Sequence, residues 1–351
     1  MTSIIDSDID EILQTQNIAW DRFVNKTVLL TGANGMLPSY MGFTLLELNK
    51  TKQINVRVVA LVRNLEKAKR VFSNYIDDDH LNFIVQDVST PITLDGKCDF
   101  IIHAASQASP QYYGVDPVGT LNANILGTHY LLELARRKKT ESFLFFSSGG
   151  VYGQVKPSEI PMSENVSGYL DCRSIRNCYF ESKRMGENMC ASYAYQYGVN
   201  AKSVRVFHTY GPTMNINDGR AFSDFCKSIK EGKNIVLHSD GSARRTFCYV
   251  TDAVKAYFLV LLNGEKGVSY NVGNSNQEVS VLELANMLVG LYPNKHLKVE
   301  MEILEKSITY SSMKSPVVRT IPDTSLIEKM GWKPSVSAKE GFRRTIDSLM
   351  E

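Results

Sequence analysis

Thr27-Val28-Leu29-Leu30-Thr31-Gly32-Ala33-Asn34-Gly35-Met36-Leu37-Pro38 decides how the rest of the chain is read. Thr27–Leu30 is a short apolar run led by β-branched residues, which predicts a buried strand, and the stretch beyond the turn predicts a helix reaching Leu48. Glycines in such a turn let the backbone approach a pyrophosphate, whose charge the helix N-terminus meets. Gly32, Asn34, Gly35, Met36 and Leu37 are therefore candidate cofactor contacts. A third glycine is usual three residues further on. Pro38 stands there instead, tolerated in a first helical turn but predicting altered packing of helix on strand.

Outward from this turn the pattern repeats. Val56–Val62, Phe83–Val85 with Val88, Phe100–His103, Ser142–Phe146 and Val204–Phe207 read as further strands. Helical stretches lie at Leu121–Arg137 and around Ser182–Tyr197. The alternation predicts an α/β fold, a Rossmann-like doubly wound parallel sheet with helices on both faces. Beyond Pro212 it becomes irregular, with a helix near Ala221–Lys230, short strands and a terminal helix after Ser337. Three parts follow: a leader at 1–25, a dinucleotide-binding domain at 26–211, and a smaller C-terminal substrate lobe mainly at 212–351. In the leader, Ile9, Ile12 and Leu13, then Trp20 and Phe23, predict a helix packed on the outside of the domain.

Composition narrows the possibilities. The 351 residues are 43% hydrophobic and 22% charged with a net charge of +2, as in an ordinary globular protein with no call for a nucleic-acid or membrane partner. Six scattered cysteines without a CxxC pair argue against zinc and against a disulfide framework. Asp6, Asp8, Asp10 and Glu11 are unlike a secretory signal, and no run of about 18 apolar residues occurs. The expected setting is the cytoplasm.

After the second strand an acid would bind the adenosine ribose, and an arginine a 2′-phosphate. The segment Ala60-Leu61-Val62-Arg63-Asn64 has no acid, so Arg63 points to NADP, with NAD as the alternative. Two further segments carry chemistry. Ser147-Ser148-Gly149-Gly150-Val151-Tyr152-Gly153 follows the fifth strand. Tyr179-Phe180-Glu181-Ser182-Lys183 sets a phenol and an ammonium four apart on one helix face. A nearby cation makes the phenolate more accessible, and a serine hydroxyl holds the substrate oxygen while hydride moves.

With these segments the chain resembles the extended short-chain dehydrogenase/reductase family, also called the NAD-dependent epimerase/dehydratase family, from Thr27 to the final helix. His103-Ala104-Ala105-Ser106 resembles the family's loop beside the cofactor, Asp87 the acid near the adenine, and Asn124 an asparagine that shapes the central helix. Arg205–Pro212 resembles the strand into the substrate lobe. Asp218-Gly219-Arg220 and Arg244–Asp252 resemble stretches that hold a nucleotide diphosphate. The spacing is most similar to UDP-glucuronate decarboxylases.

The resemblance implies Tyr179 as acid/base, Lys183 on the ribose, Ser148 as the family's Ser/Thr and Arg245 as a pyrophosphate clamp. It places Ser147, Phe207, Ala104, Ala105, Ser106, Asp87 and Asn124 with the cofactor, and Ser148, Gly149, Gly150, Arg176, His208, Arg220 and Arg245 with a nucleotide-diphosphate sugar. For Arg176 a pocket role and a surface ion pair stay open. A homodimer through helices near 117–137 and 179–197 is also implied.

Departures matter as much. Family dehydratases carry acids at the two positions after the Ser/Thr, and the decarboxylases a glutamate at the second; here both are glycine. Dehydration needs a proton donor and a base, so it is disfavoured, and decarboxylation less so. Ketone reduction with NADPH ranks first, in synthesis of a surface-glycan precursor. Epimerisation through a transient ketone or a decarboxylase-like lyase follows, then a non-catalytic NAD(P) sensor, against which the intact Ser148/Tyr179/Lys183 set argues. His208, where many relatives carry asparagine, reads equally as a phosphate or sugar donor and as packing. Cys178 reads as packing, His103 as a strand end, His238 as a loop residue, and Tyr193, Tyr195 and Tyr197 as helix packing or a subunit contact.

Overall fold

A computed structural model describes residues 2–302 and 319–351. Six strands follow one another: β1 (Thr27–Thr31), β2 (Arg57–Val62), β3 (Leu81–Val85), β4 (Phe100–His103), β5 (Ser142–Ser148) and β6 (Ala201–Val206). With Ser269–Val272 they form one parallel sheet, ordered from that last strand through β6, β5, β4, β1 and β2 to β3. Helices cover both faces, so the central strands read as near-continuous apolar runs; Val28 to Thr31 are all buried. The strand order reverses direction between β1 and β4, and that switch point is where such sheets bind ligands.

Among the helices are α1 (Ser3–Leu13), α2 (Met36–Lys52), α3 (Leu65–Val71), α4 (Pro110–Val115), α5 (Pro117–Lys138), α6 (Cys178–Tyr197), α7 (Ala221–Glu231) and α8 (Val250–Asn263), with a terminal helix at Ala338–Met350. Asp116 caps α5 by accepting from Gly119 N, and Pro117 sits in its first turn, where no amide donor is missed. α8 is buried almost all round, as expected of a helix wedged between sheet and lobe.

Several boundaries differ from the sequence reading. Val56 lies outside β2 because Asn49 occupies its backbone, accepting from Val56 N and donating to Val56 O. β3 starts earlier, at Leu81, and Val88 lies beyond its end. β6 stops before Phe207. The seventh strand, Ser269–Val272, comes from beyond residue 211, so the chain returns to the seven-stranded sheet after leaving it at β6.

The leader is no loose cover. Ile5, Ile9, Ile12, Leu13, Trp20 and Phe23 are buried in the main core, and Trp20 meets Phe258 of α8 edge-on. Asp8, fully buried, accepts from Tyr40 Oη at 3.0 Å, Tyr249 Oη at 2.7 Å and Arg344 Nη1 at 3.2 Å. Glu11 accepts from Lys255 and Arg344. α1 is thereby fixed to α2, α8 and the terminal helix. No described helix is long and apolar enough to cross a membrane.

Candidate active site

The turn after β1 is built around Gly32, whose φ is +65° and whose added Cβ would lie 2.7 Å from Ala105 Cα. Only glycine fits that approach. Thr31 Oγ1 accepts from Ala105 N at 3.2 Å and pairs with His103 Nδ1 at 2.9 Å, fastening the end of β1 to the 103–106 loop. Gly35 is the N-cap of α2, so the helix N-terminus opens onto the cleft. Pro38 sits in the first turn, where its missing N–H costs nothing.

A cleft of about 1530 Å³ runs from this turn along the C-terminal strand ends into the lobe. That exceeds the span usual for one small ligand, leaving room for a dinucleotide and a second ligand together. Gly32, Asn34, Gly35, Met36, Leu37, Arg63, Asp87, Ala104, Ala105, Ser106, Ser147, Phe207, Tyr179 and Lys183 line it, as do Ser148, Gly149, Gly150, Arg176, His208, Arg220 and Arg245. These residues fit a nicotinamide dinucleotide: the Gly32 cradle admits backbone alone. Ser106 Oγ is sealed from solvent with no hydrogen-bond partner among the described residues.

Two expected cofactor contacts are engaged elsewhere. Asn124 is fully buried off the cleft wall and donates to Ser182 Oγ at 2.9 Å, locking α5 against α6. Ser147 lines the cleft, but its hydroxyl donates to Glu187. Glu187 is also gripped by Arg205 through Nε at 3.0 Å and Nη2 at 2.8 Å. Arg63 lies 3.7 Å from Asp87. Asp87 also accepts from Ser89 N and Oγ, and these bonds with Arg63 hold its carboxyl below the usual range despite burial.

Ser148 and Tyr179 both line the cleft, Ser148 Oγ accepting from Gly150 N at 3.1 Å. Burial pushes the Tyr179 phenol up to about 12, opposed by the Ser148 hydroxyl and by Arg220. Lys183, one helical turn on, donates from Nζ to Phe146 O at 2.7 Å and lies 5.6 Å from the Tyr179 ring centre. Burial pulls it down to about 7, with Glu187 opposing. The phenol is thus protonated at neutral pH, with a low-pKa amine beside it.

The glycine pair is enclosed by rings. A Cβ on Gly149 would lie 3.0 Å from the Phe207 ring, and one on Gly150 would lie 2.1 Å from the Phe180 ring. Tyr113 of α4 stacks on Tyr179 at 5.0 Å and 12°, and Phe180 stands edge-on to both. Tyr113 and Phe180 went unread in the sequence. Phe180 was visible inside the YxxxK segment, but nothing local showed which way its ring turns. α4 is strapped to the lobe by Ser109 Oγ donating to Asp218 O at 2.8 Å and Gln111 Nε2 donating to Asn217 O at 2.6 Å.

At the lobe end, Arg220 pairs with buried Asp218, and Arg245 Nη1 donates to Arg244 O at 2.7 Å. Burial, aided by Arg245 and Arg220, pulls His208 down to about 3. Its ring is neutral and its Nδ1 is sealed without a hydrogen-bond partner among the described residues. Burial also lowers Arg176, which is half-buried in the cleft wall. His103 ends β4, His238 is exposed just past Ile235–Leu237, and Cys178 opens α6 half-buried. Tyr193 donates to Glu133 Oε1 at 2.8 Å across the α5–α6 seam, whereas Tyr195 is 96% exposed. Among the described residues no group of His, Cys, Asp or Glu is arranged to hold a metal.

A Rossmann sheet with a serine–tyrosine–lysine set at its switch point defines a short-chain dehydrogenase/reductase. The chain belongs to the NAD dependent epimerase/dehydratase family, whose model matches residues 28–273. UDP-glucuronic acid decarboxylase 5 of Arabidopsis thaliana is 30% identical over 318 residues, covering 91% of this chain and 87% of the relative. Two solved structures share the fold. UDP-glucuronic acid 4-epimerase from Bacillus cereus, in complex with UDP-glucuronic acid and NAD, has a TM-score of 0.75 at 22% identity, covering 92% of this chain and 98% of its own. UDP-N-acetylglucosamine 4-epimerase from Methanobrevibacter ruminantium M1, in complex with UDP-N-acetylmuramic acid, has a TM-score of 0.77 at 20% identity, covering 93% and 99%.

Proposed function

We propose that the protein reduces a keto group on a nucleotide-diphosphate-linked sugar with NADPH, in the synthesis of a surface-glycan precursor. One observation carries this reading: the wall beside Ser148 and Tyr179 holds rings where an eliminating enzyme needs an acid. Among the described residues the carboxylates lining the cleft are Asp87, Asp171 and Asp218. They are engaged by Arg63 and Ser89, by Arg173, and by Arg220 respectively. None is left to protonate a leaving hydroxyl beside the reacting carbon.

The Gly32–Leu37 turn, the 104–106 loop and Arg63 would hold the cofactor, which supplies the hydride. Ser148 donates to the ketone oxygen and polarises it. Tyr179, protonated at neutral pH, gives its proton to the same oxygen as negative charge develops there. Lys183 holds positive charge next to the phenolate that remains. Arg220, Arg245 and His208 form the diphosphate end, where guanidinium forks suit phosphate oxygens.

A second reading is decarboxylation of a nucleotide-linked uronic acid, supported by the length of the likeness to UDP-glucuronic acid decarboxylases and by Arg176 as a carboxylate partner. Absorbance of the reduced nicotinamide separates the two. Stoichiometric NADPH consumption with a nucleotide-linked keto sugar supports reduction. A product formed without net cofactor change overturns it. A homodimer through α5 and α6 is part of the proposal, supported by Val118, Leu126, Met185 and Tyr195 exposed on those helices.

A further inference from the structure

We propose that Glu187 is a positioning residue of the site: its carboxylate fixes the end of β5, and so Ser148, against the α6 face that carries Tyr179 and Lys183, and it serves as the counter-charge of that lysine. The assignment deepens the keto-sugar reductase reading and rests on its reacting set of Ser148, Tyr179 and Lys183.

Glu187 follows Lys183 by one helical turn, as Lys183 follows Tyr179, so the three share one face of α6. Its carboxylate accepts from three strands of the sheet. Ser147 Oγ of β5 donates to Oε1, and Arg205 of β6 grips the group through Nε at 3.0 Å and Nη2 at 2.8 Å. Ser269 Oγ of the seventh strand donates to Oε2 at 3.1 Å. Ser147 is the residue before Ser148, so holding its hydroxyl fixes where β5 presents Ser148. Arg205 extends the grip to the turn beyond, its Nη1 donating to Tyr152 Oη at 2.9 Å and Glu164 O at 2.8 Å. The pair is nearly sealed, with 12% of the Glu187 side chain and 13% of the Arg205 side chain exposed. Ion pairs in such places can often be replaced by apolar side chains without loss of stability. Stability alone therefore does not account for one set between three strands and the helix of Tyr179 and Lys183.

The charges around Lys183 single out the same residue. Burial pulls Lys183 down to about 7, and Glu187, then Cys190, oppose it. The other titratable groups nearby are Tyr179 on α6, Tyr113 on α4 and His103 at the end of β4. Burial keeps both phenols, the Cys190 thiol and the His103 ring neutral. From β5 come the Phe145 ring, 4.8 Å from Nζ, and the Phe146 carbonyl that accepts from it. Arg205 is engaged by Glu187, Arg220 acts on Tyr179 from the lobe, and Glu133 and His129 of α5 lie against Tyr193 further along the seam. A carboxylate one turn away thus helps to keep an ammonium beside the phenol as the Tyr179 proton leaves.

Lysine labelled with 13C at Cε reports each ammonium's titration by NMR, the signal lost in Lys183→Met being that of Lys183. Glu187→Gln keeps the reach and removes the charge, so the Lys183 midpoint should fall by about one pH unit or more. Glu187→Asp keeps the charge and loses the reach to Ser147. Its midpoint should stay at the parent's value, while kcat falls about tenfold or more at unchanged KM. An unmoved midpoint in Glu187→Gln, a parental kcat in Glu187→Asp, or changes confined to urea stability overturn the inference. Where Glu187→Gln does not fold, Glu187→Asp, which retains the ion pair, decides by its kcat and KM. Kinetics are read by NADPH consumption with a nucleotide-linked keto sugar, or by product formation from UDP-glucuronic acid if none is consumed. That second case overturns the reductase reading and leaves the inference to the midpoint and the kcat.

Discussion

Restoring an acid after Ser148 by Gly150→Glu should fail on its own and succeed only when Phe180 is trimmed. The new Cβ would stand 2.1 Å from the Phe180 ring. Ordinary carbon contact is about 3.5–4.0 Å, so ring or backbone must yield by more than an ångström. Overpacking of that kind costs about 1–3 kcal/mol, and the ring cannot retreat without disturbing its edge contacts with Tyr113 and Tyr179. Phe180→Ala alone should cost about 2 kcal/mol, below the range for a fully buried phenylalanine, because the ring is only half-buried. The two changes act on one volume. Gly150→Glu/Phe180→Ala should therefore be more stable than the sum of the singles by about 1–2 kcal/mol. Urea unfolding of the four proteins reads this directly. Additivity within error, or a Gly150→Glu protein as stable as the parent, refutes the claim that the ring replaces the acid.

Tyr179→Phe should lower turnover of the keto sugar about 10²–10⁴-fold with little change in sugar affinity, because the hydroxyl acts on charge that appears only in the transition state; stopped-flow kinetics with parallel titrations separates the two. Arg63→Ala should weaken NADPH about ten- to hundredfold and leave NADH unchanged if the guanidinium meets a 2′-phosphate; equal loss for both cofactors sinks the NADP reading. Burial raises the Asp8 carboxyl from 3.8 to about 6, so the folded state holds that proton more tightly than the unfolded one. The stabilisation is complete below the unfolded value and lost as pH rises through about 6. Compared with Asp8→Asn, the parent should therefore lose about 3 kcal/mol between about pH 3 and pH 7, and a flat difference in urea stability contradicts the account. Leu126→Lys should turn a dimer into monomers by sedimentation, with its circular dichroism unchanged.

The sheet was legible where burial alone dictates conformation. Leu29, Leu30, Ile101 and Ile102 are walled in on both faces, and such runs announce themselves. Ser269–Val272 did not, because Ser-Tyr-Asn-Val is short and mixed. Its place is set by pairing with β6 in parallel register, a long-range choice. Asn49 taking the backbone of Val56 is likewise a contact between elements, invisible to periodicity. In the site, Gly32, Tyr179 and Lys183 carry their own spacing. Glu187, which claims the Ser147 hydroxyl, and Tyr113, which covers Tyr179, have none. They join the site only because α6 lies against β5 and the strap ahead of α5 folds over the cleft. The glycine pair shows in the sequence as a lack of acid. That two rings close over it is a fact of packing.

The leader has a consequence for how the protein is made. Asp8 and Glu11 lie near the start of the chain, and the guanidinium that meets both belongs to Arg344. Thr2 Oγ1 and Ser348 Oγ lie 2.8 Å apart. During synthesis the Ser3–Leu13 helix has its acidic groups without the Arg344 counter-charge until the Ala338–Met350 helix is made. A chain halted before Ala338 therefore leaves the buried Asp8 carboxyl and Glu11 without the guanidinium that meets them both.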